Sequence, residues 1–352
     1  MKTIRSTGGA EVLHILYPDA QFTGDPDLEM AVFGNRVNLH IYRARSAADI
    51  PEKLWRECDA AVCYHDMQID AETVSKMQRC RHIVRAGVGF DQIDIAACAA
   101  NGIPVCNTPD YGTTDVADHA IAMMLALARG VVTYHERLKH DPLGGWDFMA
   151  APTVRRLAGQ VFGIVGLGRI GTATGLRAKA LGMDVVFYDP YRESGVELAL
   201  GIRRVDSLAA LLGQADVLTL HVPLTEQTRN LMDAKAFALL RPGALLINTA
   251  RGPVVDTEAL LQVLLSGKVA GAALDVLPTE PPSVDDPLIV AWRDGKSELQ
   301  RRLILSPHAA FYSSSSLRDV REKSAKVAVD YLLNGKLRNC VNGLDASGAF
   351  RR

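Results

Sequence analysis

A glycine-rich turn at residues 166–171 constrains the fold of this chain more than any other feature. The run Val161–Val165 is apolar and β-branched, and Gly166, Gly168 and Gly171 follow it with the spacing G-x-G-x-x-G, directly before a helix-forming stretch. The first glycine permits a tight turn, the second lets backbone NH groups approach a pyrophosphate, and the third lets helix and strand pack closely. The pattern predicts the first unit of a dinucleotide-binding fold, with Arg169 and Ile170 inside the turn included in the cofactor site.

An acidic residue lies where such a fold needs one. The next predicted strand, Asp184–Tyr188, ends at Asp189, in the region about 20 residues downstream where a carboxylate binds the adenosine ribose hydroxyls. A carboxylate there also repels a 2′-phosphate, so NAD is expected rather than NADP. The alternative is a glycine-rich turn without a ligand, followed by a turn aspartate before Pro190.

Short apolar runs alternate with helical patterns along two successive parts of the chain, which is typical of parallel sheets with helices on both faces. A single helix is expected over Thr114–Arg137 and a polar helix over Ser315–Leu333. The predicted strands are Leu13–Tyr17, Val37–Tyr42, Ala60–Tyr64, His82–Arg85 and Ile103–Val105 in the first series, and Val161–Val165, Asp184–Tyr188, Val217–Leu220, Ala244–Asn248, Ala270–Leu274 and Leu303–Ser306 in the second.

The fold class predicted from these series is α/β, with two doubly wound parallel-sheet domains. A Rossmann NAD-binding domain over residues 110–309 is inserted into a discontinuous, flavodoxin-like substrate domain, which is formed by residues 1–109 and 310–352. A chain of 352 residues has the length of two such domains.

Charge and composition favour a small-molecule partner. The chain has 39 Lys and Arg residues against 40 Asp and Glu residues, a net charge of −1, so nothing attracts nucleic-acid phosphates or anionic membranes. The six cysteines show no metal-ligand spacing and are expected to be reduced core thiols, with no metal site. The most apolar segment, Ala120–Ala128, is far shorter than the about 20 residues that span a bilayer. A cytoplasmic location is expected.

An arginine follows another predicted strand of the second series. The strand Ala244–Asn248 delivers Thr249, Ala250 and Arg251 at its carboxyl end, where ligands bind in open α/β sheets. A guanidinium with five fixed donors suits a carboxylate, or a carbonyl on which negative charge develops during reduction. A solvated loop arginine that pairs with a neighbouring acid is the alternative.

Two further strand ends carry acids and a histidine. Asp275 and Glu280 follow one of these strands, and His308 follows the other. Histidine exchanges a proton near neutral pH, so it can give a proton to a forming alkoxide and take it back in the reverse direction. A carboxylate beside the imidazole would orient it and favour its protonated form. Taken singly, His308 could be a capping residue and Glu280 a surface acid.

Taken together, these segments resemble the D-isomer-specific 2-hydroxyacid dehydrogenases from about Val84 to Cys340. The resemblance implies that Arg251 binds and polarises a 2-keto acid, that His308 is the general acid/base, and that Glu280 is its partner. The matching segments are Arg85–Asp91, Gly166–Gly171 with Asp189, Leu220–Thr225, Asn248–Gly252, Leu274–Val276 and Pro307–Ala310.

The same resemblance implies further site residues. Asp275 is expected beside the nicotinamide, and Gly87, Val88 and Gly89 are expected to bind the substrate carboxylate through backbone amides. The residues expected to line the cofactor cleft are His221, Pro223, Thr249, Ala250 and Ala310. The partner is then a small 2-keto or 2-hydroxy acid. In the resembled family the region from Thr114 to about Arg156 makes a two-fold interface, so a homodimer is expected.

Within the family, Phe187–Tyr191 and His308–Tyr312 are most similar to the C-terminal-binding-protein branch, whose animal members act as NAD-sensing corepressors. Arg85 is similar to that branch too and adds a second cation to the expected substrate site, or is a surface arginine at a strand end. An NAD(H)-sensing binding protein with little turnover is therefore the alternative function. The connection 285–302 is longer than in typical members. With only residues 341–352 after Cys340, an appended regulatory domain of the kind found in some phosphoglycerate dehydrogenases is not expected.

Overall fold

Two compact units make up the chain, as seen in a computed structural model that describes residues 2–4, 12–294 and 298–350. The first unit is Met1–Gly112 with Ser313–Arg352, and the second unit is Thr113–Tyr312. The boundaries between the units lie after residues 112 and 312, in the turns before two helices. The boundaries predicted from the sequence, after residues 109 and 309, lie three residues earlier.

The strands of the first unit are β1 (Lys2–Ile4), β2 (Leu13–Tyr17), β3 (Val37–Ile41), β4 (Ala60–Cys63), β5 (His82–Arg85) and β6 (Val105–Asn107), and those of the second unit are β7 (Val161–Val165), β8 (Asp184–Tyr188), β9 (Arg203–Arg204), β10 (Val217–Leu220), β11 (Ala244–Asn248), β12 (Val269–Leu274) and β13 (Leu303–Leu305). The α-helices are α1 (Asp27–Phe33), α2 (Glu52–Glu57), α3 (Ala71–Lys76), α4 (Ile95–Ala100), α5 (Thr113–Arg129), α6 (Val131–His140), α7 (Arg169–Ala180), α8 (Val196–Leu200), α9 (Leu208–Leu212), α10 (Ala234–Leu239), α11 (Thr257–Leu265), α12 (Pro287–Arg293) and α13 (Ser314–Asn334). Short 3-10 helices cover Gly34–Arg36, Ala47–Asp49, Gly252–Val254 and Glu298–Arg301.

The first unit has a sheet of order β1-β3-β2-β4-β5-β6. Its last five strands are parallel and have the flavodoxin-like order. The edge strand β1, which was not predicted, pairs antiparallel with β3. Side chains that cap their helices explain several starts, since Asp70 accepts a 2.8 Å hydrogen bond from the Thr73 amide at α3, and Ser313 and Ser316 form a capping box at α13.

The second unit has a parallel sheet of order β13-β12-β11-β10-β7-β8-β9. Buried residues alternate between its two faces, so that Leu245 and Ile247 pack in one core and Leu246 packs in the other. Strand order reverses between β7 and β10, which is where such sheets bind ligands beyond the carboxyl ends of the strands. The predicted fold class, with its Rossmann domain, is confirmed.

The single helix predicted over Thr114–Arg137 is wrong. The structure has α5 and α6, joined at Gly130 with a bend of 59°. Gly130 has a φ of +65°, and a Cβ there would lie 2.5 Å from the Cβ of Ala151, so a left-handed glycine breaks the helix. Within the described ranges no single helix is long and apolar enough to cross a membrane, although α5 and α6 as a bent pair meet the length and composition condition.

The long connection 285–302 forms α12 and a 3-10 turn beside the β13 edge of the second sheet. Asp286 caps α12, and the Trp292 indole NH donates to the Leu303 carbonyl at 3.1 Å. With α6 this connection lines an open cavity of about 760 Å³.

Candidate active site

The parallel strands of the second unit bring most of the predicted site residues to one edge of its sheet. Each of these residues follows the carboxyl end of a strand, because all strand ends of a parallel sheet lie on the same side. They are Gly166 to Gly171 after β7, Asp189 after β8, His221 and Pro223 after β10, Thr249 to Arg251 after β11, Asp275 and Glu280 after β12, and His308 and Ala310 after β13.

The three glycines of the turn are required for different reasons. Gly166 has a φ of +89°, and a Cβ there would lie 2.6 Å from the His221 carbonyl oxygen. A Cβ on Gly171 would lie 2.1 Å from the Gly166 carbonyl oxygen. At Gly168, the residue before α7, no described atom lies within 4 Å of such a Cβ. Packing therefore dictates two of the glycines, whereas the open space at Gly168 fits a pyrophosphate at the helix N-terminus.

Asp189 is held against this turn by the backbone. Its Oδ2 accepts a 2.8 Å hydrogen bond from the Leu167 amide, and its Oδ1 accepts a 2.9 Å bond from the Tyr191 amide. The Arg192 side chain donates to the Leu167 carbonyl oxygen. A carboxylate has about four acceptor positions, so both oxygens can still accept from ribose hydroxyls.

Two polar side chains near the ends of β10 and β11 fit a bound cofactor. The Thr249 hydroxyl is buried and has no hydrogen-bond partner among the described residues, which is costly unless a ligand supplies one. The His221 Nε2 lies 3.0 Å from the Thr219 hydroxyl, and burial lowers the pKa of His221 to about 3. This imidazole is therefore neutral near pH 7 and adds no charge.

His308 and Glu280 are in direct contact. The His308 Nδ1 lies 2.6 Å from Glu280 Oε2, and Glu280 Oε1 accepts a 2.9 Å hydrogen bond from the Leu277 amide. Burial by itself raises the pKa of Glu280, but the hydrogen bond and charge of His308, the Leu277 amide and the charge of Arg251 together bring that pKa below its ordinary value. Glu280 is thus a carboxylate that orients the imidazole by its Nδ1 side.

Arg251 is positioned by residues that the sequence argument did not single out. The Asn248 side chain accepts a 3.0 Å hydrogen bond from the Ala250 amide and donates a 3.0 Å bond to the Arg251 carbonyl. A Cβ on Gly252 would lie 1.9 Å from the Leu277 carbonyl carbon, so a glycine is needed for this loop to lie against the turn that carries Glu280. Both residues belong to the segment Asn248–Gly252, and the resemblance of this segment to the family is the sequence feature from which their role could have been predicted.

Asp275 holds the loop that carries His308. It is 1% exposed, its Oδ1 accepts a 2.9 Å hydrogen bond from the Ala309 amide, and its Oδ2 accepts a 2.9 Å bond from the Ala310 amide. The Asp275 carbonyl also accepts a 2.8 Å bond from the His308 amide. The structure therefore places Asp275 next to the proposed acid/base loop.

The remaining predicted residues belong to the first unit. Arg85 is buried at the end of β5 and donates to the Ala86 carbonyl. Gly87 has a φ of +151°, a backbone conformation that favours glycine. Asn107 donates a 2.7 Å hydrogen bond to the Val88 carbonyl. The loop ending at Gly89 is thereby fixed.

In the part of the chain that the structure describes, no group of three or more His, Cys, Asp or Glu residues is arranged to hold a metal ion.

The strand order and the glycine turn define the second unit as an NAD-binding domain of the dehydrogenase type. Residues 121–310 match the family model "D-isomer specific 2-hydroxyacid dehydrogenase, NAD binding domain". The chain belongs to the D-isomer-specific 2-hydroxyacid dehydrogenase family, and its cofactor is NAD.

Two sequence relatives support this membership. The chain is 38% identical over 241 residues to a D-3-phosphoglycerate dehydrogenase of Methanocaldococcus jannaschii, covering 68% of this chain and 45% of the relative. It is 36% identical over 297 residues to a D-3-phosphoglycerate dehydrogenase of Archaeoglobus fulgidus, covering 83% of this chain and 53% of the relative. The chain thus spans about half the length of these two relatives.

A solved structure resembles the whole fold. The D-lactate dehydrogenase of Aquifex aeolicus, solved as a complex with NAD and lactic acid, is similar with a TM-score of 0.79 and 30% sequence identity, covering 94% of this chain and 99% of that one. The resemblance extends over both units, not only over the NAD-binding domain.

Proposed function

We propose that this protein is an enzyme that interconverts a small D-2-hydroxy acid and the corresponding 2-keto acid, using NAD. The observation that carries the proposal is the 2.6 Å contact between His308 Nδ1 and Glu280, beside Arg251 at the carboxyl edge of an NAD-binding sheet. The names of the relatives, D-3-phosphoglycerate and D-lactate dehydrogenases, agree with this reaction class.

Each of the three residues has a separate role in the proposed reaction. Bound nicotinamide supplies the hydride for C2 of the keto acid, or accepts it in the reverse direction. The Arg251 guanidinium binds the substrate and stabilises negative charge that develops on the carbonyl oxygen. His308 gives a proton to that oxygen, and Glu280 holds the ring and favours its protonated form. Cofactor contacts are assigned to the glycine turn, Asp189 and Thr249.

We assign substrate carboxylate binding to Gly87, Val88 and Gly89, with Arg85 as a further cation. Support comes from the fixed backbone of this loop, in which Gly87 needs its positive φ and Val88 is held by Asn107.

A screen of keto acids tests the proposed function. Purified protein with NADH is offered hydroxypyruvate, glyoxylate, phosphohydroxypyruvate and bulkier aromatic or thioether keto acids, and NADH oxidation is followed. We expect turnover with at least one of them. If NADH binds tightly but no keto acid is reduced, the alternative of an NAD-sensing binding protein is favoured.

Cofactor preference follows from Asp189. We expect NADH to be preferred over NADPH by a large factor in kcat/KM, because a 2′-phosphate beside this carboxylate adds repulsion and loses hydrogen bonds to the ribose. Asp189→Asn, which keeps the side-chain shape, should narrow the preference. Equal kcat/KM values for the two cofactors in the wild type contradict the role of Asp189.

The pH dependence of reduction follows from the ion pair. The hydrogen bond and charge of His308 help to bring the pKa of Glu280 below its ordinary value, so Glu280 faces the imidazole as a carboxylate, 2.6 Å from Nδ1. Glu280→Gln keeps the shape but removes the charge. Reduction needs the protonated imidazole, so we expect the rate of the variant to decline at a lower pH than the wild-type rate. A pH profile of kcat/KM that does not move excludes the pairing.

We propose that the protein is a homodimer. Four large apolar side chains on the segment after α6 are almost fully exposed: Leu143 at 90%, Trp146 at 81%, Phe148 at 85% and Met149 at 78%. Exposed apolar side chains gathered in one short segment are typical of protein interfaces. Light scattering should give twice the chain mass of 38.1 kDa, and Phe148→Asp should shift the protein towards monomer.

A matched control for the dimer experiment is Leu198→Asp, since Leu198 is 83% exposed on α8, away in sequence from this segment. It should leave the mass unchanged. A wild-type mass near 38.1 kDa at micromolar concentration rules the dimer out.

Kinship with the C-terminal-binding-protein branch is a further part of the proposal. It is supported by the segments Phe187–Tyr191 and His308–Tyr312 and by Arg85. The His308 ring stands edge-on to the Phe311 ring at 6.2 Å. The keto-acid screen described above separates an enzyme of this branch from a binding protein.

A further inference from the structure

A second histidine is connected to the loop that carries His308. His119 lies on α5, and its Nε2 is 3.0 Å from the Ser306 hydroxyl. The Ser306 hydroxyl in turn donates a 2.5 Å hydrogen bond to Asp275 Oδ1. The two residues at the start of this series are 187 positions apart in the chain, so only the fold brings them together.

The directions of the neighbouring hydrogen bonds assign a proton to the Nε2 of His119. Asp275 accepts from the Ala309 and Ala310 amides, which can only donate, so its carboxylate acts as the acceptor. The single Ser306 proton goes to Asp275. The Ser306 oxygen must then accept from His119, which requires a hydrogen on Nε2.

The end of this series of bonds is the backbone at His308. Asp275 binds the two amides that follow His308, and its own carbonyl binds the His308 amide at 2.8 Å. His308 has a φ of +52°, a conformation that a non-glycine residue keeps only when its surroundings impose it. Asp275 is 1% exposed, and in such a site each hydrogen bond to a carboxylate is strong.

We propose that His119 is a positioning residue for the acid/base His308. Its Nε2–H orients the Ser306 hydroxyl towards Asp275, and Asp275 then holds the His308 loop in its left-handed conformation with the imidazole facing Glu280. The inference rests on the proposed function for its kinetic consequence, but the hydrogen-bond series itself does not depend on turnover.

Four variants test this role: His119→Phe removes the donor, His119→Gln keeps an NH donor near the Nε2 position, Ser306→Ala breaks the series, and a double variant combines His119→Phe with Ser306→Ala. Small misplacement of a catalytic group costs on the order of 10²-fold in rate. We therefore expect His119→Phe to lower kcat by roughly ten- to a hundredfold, with KM and the Kd for NADH nearly unchanged. His119→Gln should recover most of kcat.

The double variant distinguishes positioning from general packing. His119 Nε2 also lies 3.6 Å from Asp275 Oδ1, so a small direct effect remains without Ser306. If His119 acts mainly through Ser306, adding His119→Phe to Ser306→Ala costs far less than His119→Phe costs alone, because the coupled effects are not additive. Ser266→Ala, at an exposed serine after α11, is the control and should behave as wild type. Additive losses, or a His119→Gln variant as impaired as His119→Phe, overturn the proposal.

A measurement without substrate keeps this inference separate from the proposed function. Nitrogen-15 NMR of labelled histidines should show a proton on His119 Nε2 and a His308 signal that moves in His119→Phe but not in Ser266→Ala. A His119 ring without a proton on Nε2, or an unmoved His308 signal, refutes the positioning role even if keto acids are reduced. If these signals behave as expected but no keto acid is turned over, only the proposed reaction fails.

Discussion

His308→Ala is expected to lower kcat for keto-acid reduction by roughly 10²–10⁴-fold, the contribution of a positioned general acid. The physical reason is that Glu280 orients the imidazole through Nδ1 at 2.6 Å. Removal of the His308 side chain therefore removes the positioned proton donor. The Kd for NADH should stay nearly unchanged, because the assigned cofactor contacts come from the glycine turn, Asp189 and Thr249. Steady-state kinetics and NADH fluorescence titration measure the two quantities.

The comparison with Arg251→Ala makes the His308 experiment specific. Removal of the guanidinium weakens substrate binding as well as charge stabilisation, so KM should rise while kcat falls. His135→Ala on α6 is a control at an exposed histidine. A His308→Ala protein that keeps wild-type kcat overturns the proposed mechanism.

Substitutions at Gly168 and Gly171 should have opposite signatures. A Cβ at Gly168 would have no non-neighbouring described atom within 4 Å, so Gly168→Val should fold, with a melting temperature lowered only by the poorer helix N-cap. It fills the space assigned to the pyrophosphate, and we expect the Kd for NADH to rise by about ten- to a hundredfold, or about 1.4–2.8 kcal/mol.

Gly171→Ala is the matched variant. Its Cβ would lie 2.1 Å from the Gly166 carbonyl oxygen, and such overpacking costs about 1–3 kcal/mol of stability. Calorimetry should therefore show a lower melting temperature for Gly171→Ala, whereas titration with NADH should show the larger defect for Gly168→Val. If Gly168→Val binds NADH like the wild type, the turn does not hold the pyrophosphate.

The sequence predicted the central strands of the second sheet well. The bounds of β7, β8, β10 and β11 agree with the predicted ranges, because each is a short, mostly apolar run whose central residues are buried. The bounds of strands at the edge of a sheet were harder to predict. The β6 strand runs from Val105 to Asn107 and not from Ile103, since Pro104 has no NH for the ladder and the Val105 carbonyl is paired by the Val341 amide.

Long-range contacts decided what the sequence could not. The left-handed backbone of Gly130 breaks the predicted helix, and Ala151 and Val154 leave room only for glycine there. Those two residues lie in a segment without a periodic pattern. At the candidate site, residue types at strand ends pointed to Arg251, Glu280 and His308. The connection of His119 to Ser306 depends on where α5 packs on the sheet, which no local pattern encodes.

At His308 the residue that the proposed chemistry needs is not the residue that is most stable in this left-handed backbone conformation. A non-glycine residue with a φ of +52° is less stable there by about 1–2 kcal/mol than it is in the right-handed region. Glycine would relieve that strain and lose the imidazole, so the residue best for the fold and the residue proposed for the chemistry differ. In a related protein that no longer needs to catalyse the reaction, we expect His308 to be replaced early by glycine or asparagine, and such a substitution would indicate that catalysis has been lost.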